Sequence, residues 1–137
     1  MDNRTAEQRS KNMSNIHSSN TKPEAIVKKF LFSLGFRYRK NVAKLPGKPD
    51  IVLPKYKTVI FINGCYWHGH DNCKYFVLPK SNVEFWQTKI DYNKSRDAMN
   101  IEKLTSLGWK VITVWECEIR HGDRIARLNK LVEEILN

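Results

Sequence analysis

Two apolar runs, one near the middle of the chain and one near its C-terminus, constrain the fold most. Residues 58–62 have the sequence T-V-I-F-I, and residues 109–115 have the sequence W-K-V-I-T-V-W. The first run is apolar on both faces, which is typical of a strand inside a sheet. Between the runs, a long helix is predicted from about Val83 to Leu107, ending at Gly108. A helical connection between two strands favours a parallel pair, so the two runs are predicted to be parallel strands.

The remaining predicted elements surround this pair of strands. Residues 36–42 and 50–53 are predicted strands, separated by the turn sequence L-P-G-K-P. Apolar residues at helical spacing predict a first helix that ends at Gly35 and a last helix that Asp123 can cap. The order helix, three strands, helix, strand, helix predicts the α/β class, with a mixed central β-sheet flanked by helices.

The N-terminal region differs from the rest of the chain. Residues 1–20 are polar and predict a flexible arm that gains order on a partner, ahead of a single domain over residues 21–137. Thr21 and Glu24 have the spacing of a capping box at the start of the first helix. Ser81 and Glu84 have the same spacing before the long helix.

Composition restricts the class of partner. The 137 residues include 24 Lys and Arg against 14 Asp and Glu, a net charge of +10. This balance favours a polyanion, with nucleic acid ahead of an acidic membrane surface because the basic residues are spread along the chain. No apolar run approaches the roughly 18 residues of a membrane span, and the polar N-terminal residues contain no hydrophobic signal region. Three cysteines in such a chain predict reduced thiols and a cytoplasmic location.

Cysteines and histidines follow the first apolar run. Residues 65–73 contain the pattern C-x4-H-x2-C, and Cys117 lies at the end of the last predicted strand. If neighbouring strand ends meet, three thiolates and the His70 imidazole can form a closed, tetrahedral, structural zinc site. His68 and Asp71 are rival ligands for the fourth position. The alternative is three unrelated cysteines that pack as small apolar residues.

Four polar residues are candidates for chemistry, each with a plainer role as an alternative. Asp50, at the head of a strand, can bind a hard cation such as magnesium or simply cap the turn. Glu24 completes a capping box, or reaches a metal-bound water if its helix packs beside the second strand. His68 can accept a proton from water near neutral pH, or serve as a spare zinc ligand. Asn63 can position water or phosphate, or serve the turn.

Aromatic residues in the same region are candidates for contact with bases. Tyr66 and Trp67 lie in a loop between glycines, and Trp86 lies in the long helix. Exposed rings on a basic protein can stack on bases or wedge between them. The alternative is burial beneath the loop, and Trp115, within a strand, is expected in the core.

Four long motifs resemble one known family. The segments P-G-K-P-D, V-I-F-I-N-G-C-Y-W-H-G-H, N-V-E-F-W-Q-T-K-I and G-W-K-V-I-T-V-W-E-C are similar to those of the very-short-patch repair (Vsr) endonucleases, as are R-S-K-N-M and T-K-P-E. The resemblance covers roughly residues 9–120. It implies a PD-(D/E)xK-like restriction-endonuclease core with a zinc-tied loop. It also implies a magnesium-dependent enzyme that nicks DNA 5′ to the thymine of T:G mismatches left by deaminated 5-methylcytosine, initiating very short patch repair.

The resemblance also implies roles for individual residues. Asp50 and the main-chain carbonyl of Ile62 match magnesium ligands, His68 matches the catalytic histidine, and Glu24 matches a glutamate that supports the metal-bound water. Asn63 stands where some relatives carry histidine or aspartate. A catalytic role for Asn63 is therefore expected from the residue itself and is not implied by the resemblance. The matched zinc ligands are Cys65, His70, Cys73 and Cys117, and the matched DNA wedge is Tyr66, Trp67 and Trp86.

Further DNA contacts and partners are expected on the same basis. Met13 in the arm is a candidate contact, and Lys89, Asn93 and Arg96 lie near Trp86 at helical spacing, facing either DNA or solvent. A monomer suffices for a single nick, and a MutL-type mismatch repair protein is a candidate partner in a bacterial nucleoid. Two other functions compete with this one: a restriction-type endonuclease that cuts both strands of paired DNA, and a zinc-stabilised DNA-binding module without catalysis.

Overall fold

The computed structural model describes residues 22–40, 42 and 44–137. The predicted arm, including Met13, lies outside the described residues, as does the capping residue Thr21. The arm, the first capping box and the division into arm and single domain therefore stay predictions.

Four strands and four α-helices form the described part of the chain. The strands are β1 (Arg39–Lys40), β2 (Ile51–Leu53), β3 (Thr58–Asn63) and β4 (Lys110–Trp115). The helices are α1 (Lys22–Ser33), α2 (Val83–Ser106), α3 (Glu116–Arg120) and α4 (Arg124–Leu136), with a 3-10 turn at Pro54–Tyr56.

The strands form one mixed sheet in the order β1-β2-β3-β4. The first two pairs are antiparallel, and β3 pairs with β4 in parallel, from Thr58 beside Lys110 to Asn63 beside Trp115. The mixed α/β class and the parallel pair are thus confirmed. Because the parallel strands end at the same edge, the loop after β3 and helix α3 after β4 begin next to each other.

Helices cover both faces of the sheet. On one face, Ile60 and Ile112 pack with Leu31 of α1 and Leu131 of α4. On the other, Val59 and its neighbours pack with Leu104 of α2. Adjacent residues of β3 face opposite sides, as the pleat requires, and each fully buried aliphatic side chain contributes roughly 1.5–3 kcal/mol.

Helix ends explain where the structure departs from the predicted elements. The first strand is only Arg39–Lys40 instead of residues 36–42, because the Phe36 amide donates to the Leu31 carbonyl and continues the end of α1. Gly35, at φ +90°, permits this C-terminal motif.

Two other helix starts test the predicted caps. The capping box at Ser81 is wrong: Asn82 precedes α2, in a left-handed conformation and without a side-chain cap bond. Asp123 caps α4 as predicted, since its carboxylate accepts a hydrogen bond from the Ala126 amide at 3.0 Å. Helix α3 was not predicted, and it places Cys117 in a helical turn instead of at a strand tip.

Candidate active site and thiol cluster

Three cysteines and one histidine converge where β3 and β4 end. The ligand atoms of Cys65, His70, Cys73 and Cys117 all lie within 4.8 Å of one another, and Cys117 Sγ is 3.5 Å from His70 Nδ1. Zinc–sulfur bonds of about 2.3 Å in a tetrahedron separate the ligand atoms by about 3.8 Å. Soft sulfur and imidazole donors at nearly these separations fit a zinc ion. We call these four residues the thiol cluster.

Burial controls the ionisation of the thiols. It raises the pKa of Cys65 to about 12, and it raises the pKa of Cys117 as well. At Cys73 burial acts in the same direction, but hydrogen bonds with the main chain at Tyr75 and with neighbouring thiols lower the pKa overall. Since metals bind thiolates, binding of an ion to the thiol cluster displaces protons.

The backbone and one tryptophan hold His70 in the thiol cluster. The His70 amide donates to the Cys65 carbonyl at 2.9 Å, which curls the loop. The His70 ring stacks on Trp115, with centroids 4.0 Å apart and planes 7° apart. The amide of Trp115 in turn donates to the Glu118 carboxylate at 2.8 Å. Trp115, expected in the core, therefore serves as a platform for a cluster ligand.

Neither rival ligand belongs to the thiol cluster. His68 Nδ1 lies 2.5 Å from Asp97 Oδ2, and both side chains are about one-quarter exposed. Asp71 accepts a hydrogen bond from Lys94 Nζ at 2.8 Å on the surface. The structure thus separates the two histidines of the loop, one into the thiol cluster and one toward a cavity.

That cavity, of about 470 Å³, is the candidate active site. We call it the His68 cavity. Its walls include His68 and Asp97, with Asn63 from the end of β3. A carboxylate that accepts a hydrogen bond from Nδ1 fixes the imidazole tautomer, leaving Nε2 with a lone pair.

The sequence analysis assigned no role to Asp97, although the sequence contains a signal for one. Polar Asn93 and Asp97 stand at helical spacing between buried Ile90 and buried Leu104. Polar residues in line with buried apolar ones lie on the face of α2 that packs inward. This face contacts the loop after β3, which explains how Asp97 reaches a histidine 29 residues away.

The loop after β3 is held tightly against α2. A Cβ on Gly69 would lie 2.7 Å from Ile90 Cγ2, and Gly69 has φ +59°, so the close approach requires glycine. Asn93 Nδ2 donates to the Trp67 carbonyl at 2.9 Å. Asn93, predicted as a DNA contact, thus also positions the loop.

Two carboxylates meet near the end of β3. Asp50 Oδ2 accepts a hydrogen bond from the Ile62 amide at 2.7 Å. Glu24, only 2% exposed, hydrogen-bonds with Asp50 and lies 2.6 Å from the ammonium group of buried Lys28. Burial, followed by the hydrogen bond with Glu24, raises the pKa of Asp50 to about 7.

This pair of carboxylates fits a hard cation. Helix α1 packs so that Glu24 contacts Asp50, the condition under which Glu24 was expected to reach a metal-bound water. Carboxylate oxygens are ligands that magnesium prefers, and a cation beside both groups would stabilise their ionised forms against the burial that chiefly raises the pKa of Asp50. Lys28 was not singled out in the sequence, because its partner is recognisable only once Glu24 is known to be buried.

The three candidate wedge residues form one aromatic group. Ring centroids lie 5.1 Å apart for Tyr66 and Trp67, 6.1 Å for Tyr66 and Trp86, and 6.2 Å for Trp67 and Trp86. Trp67 is 42% exposed, and the Lys89 ammonium lies 5.7 Å from its ring centroid. Lys89 and Arg96 are exposed. We call the three rings the aromatic triad.

Among the described residues, no helix is both long enough and apolar enough to span a bilayer.

Comparisons with known proteins identify a family and several relatives. The sequence profile of the family described as DNA mismatch endonuclease Vsr matches residues 1–74. A type II nicking enzyme of Neisseria meningitidis serogroup A, V.NmeAIP, is 54% identical over 132 residues, covering 96% of this chain and 94% of the relative. A type II nicking enzyme of Xanthomonas oryzae, V.XorIIP, is 42% identical, covering 88% and 89%. The DNA mismatch endonuclease Vsr of Escherichia coli K12 is 42% identical, covering 85% and 74%.

Proposed function

The chain belongs to the Vsr family of DNA mismatch endonucleases, and we propose that it nicks DNA, with magnesium as cofactor, 5′ to the thymine of T:G mismatches left by deaminated 5-methylcytosine. One observation carries the proposal. A single loop bears both the His68 imidazole, which faces a cavity, and two rings of the aromatic triad. An enzyme that opens a base step and cuts beside it needs the imidazole and the inserted rings at fixed positions relative to each other.

His68 acts on the proton of the attacking water. Asp97 accepts a hydrogen bond from Nδ1–H, which leaves Nε2 to take a proton from water in the His68 cavity. Asp97 also stabilises the imidazolium that forms. Asn63, in the same wall, positions the water or the phosphate.

Asp50, the carbonyl of Ile62 and Glu24 are the residues that would hold magnesium and its water. When bound, magnesium stabilises charge on the phosphate and lowers the pKa of the attacking water. The Ile62 amide donates to Asp50 and thereby keeps the carboxylate at the end of β3. Lys28 offsets part of the negative charge of Glu24 beside it.

The same carboxylates support a PD-(D/E)xK-like nuclease core. In that superfamily an E-x-K sequence usually lies on the strand that here has the sequence I-F-I-N-G. Glu24, reaching Asp50 from helix α1, is proposed to provide the second carboxylate instead. The four-stranded mixed sheet with helices on both faces is compatible with such a core.

The thiol cluster and the aromatic triad act on the duplex together. Unstacking a base step costs a few kcal/mol of free energy. A flexible loop would change its own conformation instead of separating the bases. The thiol cluster, which would hold zinc, and the contact of Asn93 with the Trp67 carbonyl would together keep the loop rigid. A mismatched step resists opening less than a paired one, which contributes selectivity.

Partners follow from this activity. Duplex DNA is the substrate, and Met13, Lys89 and Arg96 are proposed to contact it along with the aromatic triad. A single nick needs one active site, so a monomer is proposed. A MutL-type mismatch repair protein and association with a bacterial nucleoid stay predictions.

A strand-specific nicking assay tests the proposal. Duplexes labelled on either strand and carrying each mismatch or a fully paired site are incubated with the protein and magnesium. We expect cuts in the thymine strand of the T:G duplex alone. Equal cutting of both strands in paired DNA would identify a restriction-type enzyme. Salt-dependent binding without scission in any divalent metal would identify a binding module.

A further inference from the structure

We propose that Lys48 and Arg96 form a subsite that binds one backbone phosphate of the cut strand, within one nucleotide of the scissile bond. The inference rests on the proposed function, because it assumes DNA in the His68 cavity. Lys48 belongs to the L-P-G-K-P turn and Arg96 to helix α2, yet both line this cavity with His68.

The charge of the cavity lining favours a phosphodiester. Lys48 and Arg96 are its two permanent cations, and its one carboxylate, Asp97, is already occupied by His68 Nδ1. Lys48 makes no ion pair with any residue of the described chain. A cavity with this balance attracts an anion, and a guanidinium and an ammonium are the side chains that bind phosphate oxygens.

The backbone at Lys48 has a conformation that glycine adopts more readily than lysine. Lys48 has φ +49°, a left-handed conformation that costs free energy for any residue with a Cβ. The Lys48 amide donates to the Leu45 carbonyl at 3.1 Å, which closes the turn. Glycine would adopt this conformation without strain, so replacing Lys48 by glycine removes the charge and leaves the turn unstrained.

The turn is attached to the same helix that bears the catalytic partner of His68. A Cβ on Gly47 would lie 3.0 Å from Asn100 Nδ2, so the turn rests directly on the Asn100 side chain. Asp97 and Arg96 lie one helical turn before Asn100. Helix α2 therefore positions the His68 imidazole through Asp97, bears Arg96, and supports the turn that contains Lys48.

A short, stiff connection also links Lys48 to the proposed magnesium ligand. Pro49 is buried and separates Lys48 from Asp50 by a single residue with a fixed φ. The backbone of Lys48 is thus fixed relative to Asp50, and a phosphate held by the Lys48 side chain would lie in the cavity that His68 lines. Such positioning lowers the entropic part of the barrier to phosphodiester cleavage.

Lys48→Gly is a sharp test because it removes the cation while relieving the backbone. We expect unchanged or higher thermal stability, together with roughly tenfold weaker binding to T:G duplex and a salt slope reduced by about one unit. Lys57→Gly is the control for DNA binding and salt slope, since Lys57 also has a left-handed backbone, at φ +51°, but does not line the cavity. Its melting temperature is not used as a control, because Lys57 Nζ lies 4.4 Å from the Trp109 ring centroid. Lys48→Arg is expected to restore binding.

Neutral phosphates identify the contact directly. Duplexes in which single phosphates within one nucleotide of the cut are replaced by methylphosphonate are bound to protein in an Asp50→Asn background, which is expected to leave DNA intact. At one position the replacement should weaken binding of protein with Lys48 about tenfold and leave the Lys48→Gly protein unaffected. The same scan with Arg96→Gln should give coupling at the same position.

The outcomes separate this inference from the proposed nicking activity. Additive effects of Lys48→Gly and methylphosphonate at every position would overturn the subsite, even if wild-type protein nicks T:G DNA. Coupling at one position would support the subsite, even if no nicking is found. Lower stability of Lys48→Gly with no change in salt slope would assign Lys48 a merely structural role and overturn the inference.

Discussion

The thiol cluster and the Asp50–Glu24 pair are both built around buried ionisable groups, but from opposite ligand chemistry. The cluster brings four sulfur and nitrogen donors within 4.8 Å of one another. Four protein ligands complete a tetrahedral shell, so no coordination position remains for a substrate. The carboxylate pair offers few, hard oxygen donors, so water and phosphate can complete the shell of a cation. The type and the number of protein ligands therefore distinguish a site suited to a structural ion from a site suited to a catalytic ion.

Loss of a cluster ligand should have the largest effect on stability. Cys117→Ser is expected to reduce zinc content and to lower the free energy of unfolding by more than about 3 kcal/mol, because binding of structural zinc is coupled to folding. Melting followed by circular dichroism, with zinc determined by mass spectrometry, checks this. Glu116→Gln, in the same short helix, is the control. Unchanged melting of zinc-free protein would remove the structural role of the cluster.

Loss of the carboxylate should affect chemistry and spare the structure. Asp50→Asn keeps an acceptor for the Ile62 amide but removes the charge, so nicking should fall at least about 1000-fold, or about 4 kcal/mol in the barrier. Zinc content, melting temperature and binding to T:G duplex should persist. Full nicking by this variant in magnesium would reject Asp50 as the metal ligand and erase the contrast with the thiol cluster.

The partner of His68 should have an intermediate effect, since it acts through the imidazole. In Asp97→Asn, an amide can donate to Nδ1 and favour the wrong tautomer, so kcat is expected to fall about 10- to 100-fold. The pH dependence of kcat should change with it, while KM changes little. Asp91→Asn on the exposed part of α2 is the matched control. Equal rates for the two variants would contradict the positioning role.

Each ring of the aromatic triad should have a smaller effect than the residues above. The effect should be confined to discrimination between T:G and paired duplex. Trp67→Ala is expected to reduce the preference for T:G over paired duplex about tenfold, within the roughly 1–3 kcal/mol of a base–aromatic contact. Competition binding with both duplexes measures it. Phe32→Ala, which removes a 60% exposed ring on α1, is the control. A preference that survives Trp67→Ala would place mismatch recognition elsewhere.

Patterns along the chain predicted most elements, because period and caps are local properties. Strands β3 and β4, the long helix α2 and the Asp123 cap follow from residues near one another in sequence, and the helix between the two strands favoured their parallel pairing. The short strand β1 and helix α3 could not be predicted in this way. The bounds of these two elements depend on the packing of Phe36 in the core and of Cys117 in the thiol cluster.

The candidate site was predicted in its residue types more than in its pairings. Spacing and resemblance pointed to His70 with the cysteines, and the structure brings these four together. Spacing left His68 as a rival zinc ligand, and its bond to Asp97 places it in the cavity instead. Neither Lys28 nor Lys48 could be assigned a role, because each depends on contacts with residues that are near only after folding.

By itself, the sequence determined a basic, mixed α/β domain with a hard carboxylate at the head of one short strand, and with soft ligands and aromatic rings after the next, buried strand. Tertiary structure decided which of these groups act together: His68 with Asp97, Glu24 with Asp50, and Trp86 with Tyr66 and Trp67. The physical reason is range. Helix and strand preferences arise from neighbouring residues, whereas a charge or a ring acquires its partner only when sheet and helices pack and exclude water.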